Sequence, residues 1–415
     1  MDRTILHCDL NGFYASVESI GRPDLRVVPM AVGGDPQNRH GIILAKNELA
    51  KKRGVQTAET IWQARRKCPE LLVVPPHHDL YAEYSQKVNR IYQRYTDLVE
   101  PFGIDESWLD ITGSMHLFGG DARAIADEIR AVVRRELDLT VSVGVSFNKT
   151  FAKLGSDYKK PDATTVIGRE QVEKILYPLP AGALLYVGRA SQATLERLGI
   201  HTIGQLARHD KAILSRLLGK AGEQLWEHAN GLDDSPVRSA YAAREIKSIG
   251  NGMTFHHNLA GEDELRPALA SLCDSVAARM RRHGVKGQTV QLQIRDPDFK
   301  TISRQKTLTN ATFLARELVG VTWDILRESW NLSAPVRMMT VTAANLIPAG
   351  DVQPQLSLFE EEADRRRQKR EKLELAMDGI RRRHGEESIR PGSVIETEKD
   401  PLELFRDKEG SDFQP

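Results

Sequence analysis

The sequence predicts a multidomain protein of mixed α/β and α+β class, and three patterns carry that reading. Over roughly residues 1–165, helical and strand periodicities alternate. Over 166–232, short helices and glycine turns replace the strands. From 245 to 347 the elements run β-α-β-β-α-β, the order of a split βαβ sandwich. At 415 residues the chain can form two to four domains, each with its own core.

Residues 3–9 read as a strand, with Ile5, Leu6 and Cys8 ahead of Asp9, and "FYASVES" behind it has helical character. Residues 121–138 form an amphipathic helix: Asp121 is the N-cap, and Ile125, Ile129, Val132, Val133 and Leu137 fall on one stripe. "TVSVGVS" (140–146) alternates valines with small residues, a period-two strand. "LERLGIHTIGQLARH" (195–209) reads as helix, tight turn at Gly199, helix, and Gly188 opens a similar turn. Helix–hairpin–helix units of this kind aim backbone N–H groups at a phosphate, although an ordinary helical hairpin shares the pattern.

Residues 233–244 form a polar linker containing Pro236. A strand near 245–254 follows, then a helix near 263–283 with Leu265, Leu269, Leu272, Val276 and Met280 on one face. Strand "TVQLQIRD" alternates Val290, Leu292 and Ile294; strand "TISRQKTLT", a helix over 312–330 and strand "PVRMMTVTAANL" complete the sandwich. On its solvent face Gln291, Gln293 and Arg295 line up, as do Arg304 and Lys306. After Leu346 come two prolines, a short apolar island and dense mixed charge. Residues 362–384 have helical character, but Leu373, Met377 and Ile380 make only a narrow stripe, so the tail is expected to be mobile or ordered only on binding.

Apolar residues make up 40% and charged residues 28%, a globular balance. No run of about eighteen apolar residues suggests a membrane span, and the apolar run in "MDRTILHCDL" is too short for a signal peptide. Cys8, Cys68 and Cys273 are far apart and form no C-x-x-C pair, which argues against a disulfide framework or a cysteine zinc site and for a reducing cytoplasm. His77–His78 and His256–His257 lack acidic or cysteine partners at metal spacing. The net charge of +1 conceals an uneven distribution. Residues 279–306 carry Arg279, Arg281, Arg282, Lys286, Arg295, Lys300, Arg304 and Lys306 against Asp296 and Asp298, a net +6, whereas residues 348–415 net −4. A polyanion-binding body with a separate appendage fits that distribution, as do plain solvated faces.

"PFGIDESWLDIT" (101–112) sets Asp105 and Glu106 side by side inside an apolar stretch of Ile104, Trp108, Leu109 and Ile111. Neighbours in a strand point to opposite faces, so both reach one point only at a turn or bulge, which Gly103 supplies. Asp9 adds a third carboxylate at a strand end. Such oxygen donors suit Mg²⁺, which is held by few carboxylates plus substrate phosphates. Two ions about 3.5–4 Å apart can clamp both oxygens of a phosphoryl transfer. Two other readings share the local pattern. A glycosidase pair needs carboxyls about 5–9.5 Å apart across a bond, which sequence neighbours do poorly. A surface hairpin with solvated acids needs nothing more.

"ILHCDLNGFYASVE" (5–18), "GIDESWLDIT" (103–112), "VGVSFNKTFAKLGSDYKKP" (143–161) and "GIHTIGQLA" (199–207), in that order, resemble the Y-family DNA polymerases, within them the bacterial DNA polymerase IV group of translesion enzymes. The resemblance covers about residues 3–346. It implies a right-hand polymerase with a palm (1–12 and 75–165) interrupted by fingers (13–74). A helical thumb with helix–hairpin–helix (166–232), the linker (233–244), a DNA-binding little finger (245–347) and a tail (348–415) follow. It implies that Asp9 and Asp105 are metal-ligand aspartates, Glu106 the catalytic carboxylate and a ligand, and the Leu10 carbonyl a backbone ligand for two Mg²⁺. Ser107 completes the family's D-E-S signature. Tyr14 falls at the steric-gate position that closes off a ribose 2′-OH. Lys160 matches the lysine that reaches the triphosphate. "HGIILAKNELAKKRGV" (40–55) matches the segment that holds the nucleotide's phosphates. There the family's tyrosine and arginine are replaced by Glu48 and Lys51. Lys51 keeps the charge without the bidentate fork, Lys46 can substitute, and Glu48 must turn outward or pair with Lys52.

"QPQLSLF" resembles the peptide that docks bacterial polymerases on the sliding β-clamp: Gln355, Leu356, Ser357, Leu358 and Phe359, with Leu358 and Phe359 as anchors. The resemblance thus implies a cytoplasmic, monomeric DNA-directed DNA polymerase with no membrane partner. It would add deoxynucleoside triphosphates to primer-template DNA at low fidelity, without proofreading, in damage tolerance. Gly199 in the thumb and Arg295, Arg304 and Lys306 in the little finger are the expected phosphate contacts. The alternative is a catalytically silent DNA- and clamp-binding accessory protein with the same fold.

Overall fold

In the computed structural model of the chain, residues 2–34, 41–242, 245–351, 361–385 and 388–389 are described, and they divide into two compact units, the chain passing from the first to the second between residues 242 and 245. The clamp-like peptide Gln355–Phe359 lies outside the described residues.

The first unit begins with β1 (Ile5–Leu10) and α1 (Phe13–Glu18). β2 (Met30–Gly33), β3 (Ile43–Lys46), α2 (Glu48–Lys52), α3 (Ile61–Lys67) and β4 (Leu72–Val74) follow, the strands forming a small sheet in the order β3-β2-β4. Next come α4 (His78–Tyr92), β5 (Val99–Phe102), β6 (Glu106–Asp110), α5 (Ala122–Leu137), β7 (Val141–Ser146), α6 (Lys149–Tyr158) and β8 (Thr164–Val166). These complete a five-stranded sheet in the order β5-β6-β1-β7-β8, antiparallel except for the parallel β7–β8 pair. The Asp121 side chain caps α5 as expected, accepting from the Arg123 amide at 2.9 Å.

Strand pairing assigns the two faces. Leu6, Cys8 and Leu10 share a face and a core with Val141, Val143 and Val145 and with Ile125, Ile129 and Val133 of α5. His7 and Asp9 point to the other face, opposite Trp108 and Glu106 on one side and Gly144 and Ser142 on the other. α6 crosses this second face at Gly144. A Cβ there would stand 1.9 Å from the Ala152 carbonyl oxygen and 2.3 Å from the Ser156 amide. Both obstacles are backbone, so Gly144→Ala is expected to cost about 3 kcal/mol, the upper end of overpacking. A drop in thermal midpoint on the order of 10 °C, read by circular dichroism, checks it.

α7 (Arg189–Arg197), α8 (Ile203–Arg208), α9 (Lys211–Leu218) and α10 (Lys220–Ala229) pack around Leu195, Ile200, Ile203, Leu206, Leu214 and Leu225. The turn between α7 and α8 sits where the sequence places it, with Gly199 at φ 71. The segment after α10 differs from the expected linker, because its first part is strapped to the large sheet. Asp233 accepts from the Thr150 amide and hydroxyl at 3.1 and 2.9 Å, and Val237 is buried with Ile5, Trp108 and Ala152. The Arg238 amide and the Lys149 ammonium both donate to Glu100, at 2.9 and 2.8 Å. One valine and one aspartate with partners far back in the chain override a linker-like composition.

In the second unit, β9 (Ser248–Leu259), α11 (Glu262–Arg282), β10 (Val285–Arg295), β11 (Thr301–Thr312), α12 (Ala315–Ser329) and β12 (Val336–Pro348) reproduce the expected order. The sheet runs β11-β10-β12-β9, all antiparallel, so each βαβ is split by an intervening strand. One expectation fails on register. Arg304 and Lys306 lie opposite Leu292 and Val290, and directly opposed residues share a face. They therefore project to the helix side at the sheet's edge, where Lys306 comes within 3.9 Å of Asp324 on α12. The open face carries Gln291, Gln293 and Arg295 with Thr301, Ser303, Gln305, Thr340 and Thr342, and it continues at Gly250 and Gly252.

Within the tail, residues 361–385 are described, and the helical character expected over 362–384 is present. α13 (Glu361–His384) is a docked helix held by charge. Leu373 and Ile380 of the supposed apolar stripe are exposed. Instead Arg281, nearly inaccessible, donates to both oxygens of Asp378 at 2.6 and 2.8 Å, to Glu374 and to the Phe313 carbonyl. Lys286 pairs with Glu371 at 2.8 Å, Arg367 with Glu317 at 3.3 Å and Arg381 with Asp274 at 2.8 Å.

Candidate active site

β1 ends at Leu10, and its neighbour β6 begins at Glu106 after a hairpin turn whose Gly103 has φ 79, a left-handed conformation that glycine adopts without penalty. The Leu10 amide donates to the Asp105 carbonyl at 3.0 Å and fixes the turn against the end of β1. Asp9 and Glu106 are direct cross-strand partners on the α6 face, and Asp105 adjoins them on the turn. The hairpin that the sequence requires to bring neighbouring acids together is therefore present.

Two lysines from the α6 segment face these acids. The Lys160 ammonium stands 2.6 Å from Asp9 and 2.7 Å from Asp157, and Lys153 stands 2.7 Å from Glu106. His7, fully buried, lies 3.4 Å from Glu106 through Nε2 and 2.8 Å from the Ser156 hydroxyl through Nδ1. Burial pushes the Asp9 carboxyl up to about 7; Lys160 opposes this, while the charges of Glu106 and Asp157 add to it. Burial and the Glu106 charge likewise raise Asp105. Burial works against the Glu106 charge too, but the neighbouring His7 ring and the Lys153 ammonium, which donates to it, prevail and hold it down at about 2.

Among the described residues no three His, Cys, Asp or Glu side chains converge as a ready-made metal cluster. The donor set nonetheless suits a hard cation. Three carboxylates and a backbone carbonyl are all oxygen, and burial raises two of the acids. The compact ammonium on Asp9 marks where positive charge settles.

Tyr14, on α1, stacks on Tyr81 with ring centroids 4.0 Å apart and an interplanar angle of 13°, and meets His78 edge-on at 5.9 Å. Tyr81 is anchored in turn: its hydroxyl donates to buried Glu18 and accepts from the His77 amide at 3.0 Å. Burial, with the Asp105 charge, raises the Tyr14 phenol.

The other expected residues are more dispersed. Lys46 donates to Thr57 at 3.0 Å, and burial followed by the Lys51 charge lowers its pKa. Lys51 pairs with Glu48 at 3.2 Å, so Glu48 finds Lys51 rather than Lys52. Gly199 does not present its amide to a ligand. That N–H donates to Glu196 at 3.0 Å, Ile200 donates to Leu195, and the His201 and Thr202 amides donate to the Gln205 side chain. The turn closes α7 with its own donors. Arg295 lies on the open face of the second unit's sheet, its Nε on Thr301 at 2.9 Å. Sequence reasoning missed His7, Lys153 and Tyr81. The period-two alignment of His7 with Asp9 was the available signal for the first; the other two depend on contacts between distant elements.

The sequence matches the impB/mucB/samB family over residues 8–157 and that family's C-terminal domain over 246–358. It is 47% identical to DNA polymerase IV of Acetivibrio thermocellus, covering 95% of this chain and 98% of the relative. It is 38% identical to DNA polymerase IV 1 of Bacillus subtilis, covering 96% and 94%. A solved Y-family DNA polymerase chimera superposes with a TM-score of 0.73 at 22% identity, over 83% of this chain and 99% of that one.

Proposed function

The chain belongs to the impB/mucB/samB family of Y-family DNA polymerases, and from that premise we propose that Asp9, Asp105 and Glu106 form its polymerisation centre. The protein is a template-directed translesion DNA polymerase that extends primer-template DNA with deoxynucleoside triphosphates and uses divalent metal. One observation carries the site assignment: Asp9 and Glu106 face each other across β1 and β6, with Asp105 on the adjoining turn.

Asp9, Asp105, Glu106 and the Leu10 carbonyl would be the oxygen donors for two Mg²⁺ ions. Bound there, the ions would lower the pKa of the primer 3′-OH and neutralise the triphosphate as pyrophosphate leaves. Lys153 donates to Glu106 at 2.7 Å and favours its ionised form, which suits an oxygen acceptor. Lys160, beside Asp9, is within the site's own charge cluster and supplies positive charge to the triphosphate. Lys46 and Lys51 add charge for the outer phosphates. Tyr14, braced by Tyr81, restricts the sugar pocket. The five-stranded sheet is read as the palm, the small sheet and its helices as fingers, α7–α10 as the thumb and the second unit as the little finger. Arg295 and its polar neighbours on the open sheet face are phosphate contacts there, with Arg304 and Lys306 serving only from the sheet's edge.

The test is primer extension. The wild-type chain should add nucleotides with Mg²⁺ and stop in chelator; no extension on any primer-template would refute the reading. No described helix is long and apolar enough to cross a membrane, and a cytoplasmic monomer fits. Gln355–Phe359 is proposed as the sliding-clamp peptide. Its deletion should leave distributive synthesis unchanged and abolish stimulation by added clamp, an effect on the order of 10²-fold in product per binding event. Stimulation that survives the deletion would remove the motif.

A further inference from the structure

The charge on α13 is sorted by face. Glu371, Glu374 and Asp378 turn inward, to Lys286 and Arg281. Glu374 also accepts from the Ala315 amide at 3.1 Å, at the start of α12, where an anion is favoured. Arg367 and Arg381 close the two ends of this contact, on Glu317 and Asp274. The second unit's own cations, Arg281 and Lys286, are thereby consumed inside the protein.

The outward face is different. Lys369, Arg370, Lys372, Arg382 and Arg383 are exposed, and none has an ion-pair or hydrogen-bond partner among the described residues. At 100° per residue, Lys369, Lys372 and Arg383 fall within a sector of roughly 60°. From Lys369 to Arg383 the helix rises about 21 Å, roughly six nucleotide steps of one DNA strand. Every acid on α13 whose side chain is described is turned away from this ridge. A merely solvated helix gains more from interleaving both signs on its outer face, as i,i+4 pairs.

We propose that α13, clasped through its acidic face, is an additional binding surface for the sugar-phosphate backbone of duplex DNA, carried by Lys369, Lys372 and Arg383. The proposal rests on the chain being a DNA polymerase, and it lies beyond residue 358, where the match to the family's C-terminal domain ends. Contacts of this kind are sequence-independent and release counterions.

The experiment compares full-length wild type with Lys369→Gln/Lys372→Gln/Arg383→Gln and with the corresponding triple Glu variant. All three positions are exposed, and circular dichroism verifies the fold. Fluorescence anisotropy on a 30-base-pair primer-template is read across a salt series. The Gln variant should reduce the slope of log affinity against log salt by about 2 to 3, roughly 0.9 per lost phosphate contact. The Glu variant should weaken binding at least about 10-fold near 100 mM salt. Unchanged slope and affinity in both variants would overturn the proposal. So would unchanged DNA binding with lost binding to phosphatidylserine vesicles, which would make the ridge a membrane-surface contact. Primer extension by wild type runs in parallel. Its failure would defeat the polymerase reading, whereas an unchanged salt slope alongside normal extension would defeat only the α13 proposal.

Discussion

Asp105→Ala should abolish primer extension while leaving DNA binding within about 2-fold of wild type. The substitution removes an oxygen donor from a turn whose backbone is held by the Leu10 amide at 3.0 Å, so the hairpin should persist. Asp105 sits in the turn just ahead of β6 rather than inside a strand, so losing its side chain opens no core cavity. What is lost is negative charge where positive charge must gather. Deleting one member of a catalytic set that acts as a unit typically costs about 10³-fold or more in turnover. Single-turnover extension with Mg²⁺, alongside anisotropy on the same primer-template, separates the two readouts. Comparable turnover in the variant would refute the site assignment. It would also reopen the reading of a silent accessory protein, which the three intact carboxylates otherwise oppose.

Tyr14→Ala should admit ribonucleotides, relaxing sugar selectivity by roughly 10²-fold or more, a size set by removing steric rejection from a well-packed pocket. The ring cannot simply swing aside in the wild type. It is stacked on Tyr81, and Tyr81 is tied to Glu18 and to the His77 amide. Rigid support is what turns an aromatic side chain into a discriminator, since a mobile ring would yield to an extra hydroxyl. Parallel extension assays with deoxy- and ribonucleoside triphosphates give the ratio directly. An unchanged ratio would remove Tyr14 from this role.

Much of this was legible in the sequence because it depends on local rules. Gly103 ahead of two acids announces a hairpin, and the period-two pattern sets Asp9 at the end of β1. The β-α-β-β-α-β order of the second unit followed from strand and helix periodicities alone. The misreadings share one cause, which is information held between elements. Whether Arg304 faces with Arg295 or against it depends on the hairpin register between β10 and β11, not on either strand by itself. The helix within the tail has only a narrow apolar stripe, so its sequence does not reveal where it packs. Its anchors are ion pairs to residues 93 and 97 positions away in the chain, which no periodicity analysis detects. Gly199 does make the predicted turn, but a glycine turn says nothing about which carbonyls will claim its amides.

Lys160 and Lys153 carry one further consequence. Many proteins with clustered acids depend on an ion to become folded at all, so that loading and folding are one event. In this chain the mutual repulsion of Asp9 and Glu106 is already offset by ammonium groups from the same polypeptide. The chain thus brings its own counter-charge to these acids, and a cation bound there would exchange with ammonium groups rather than meet bare carboxylates.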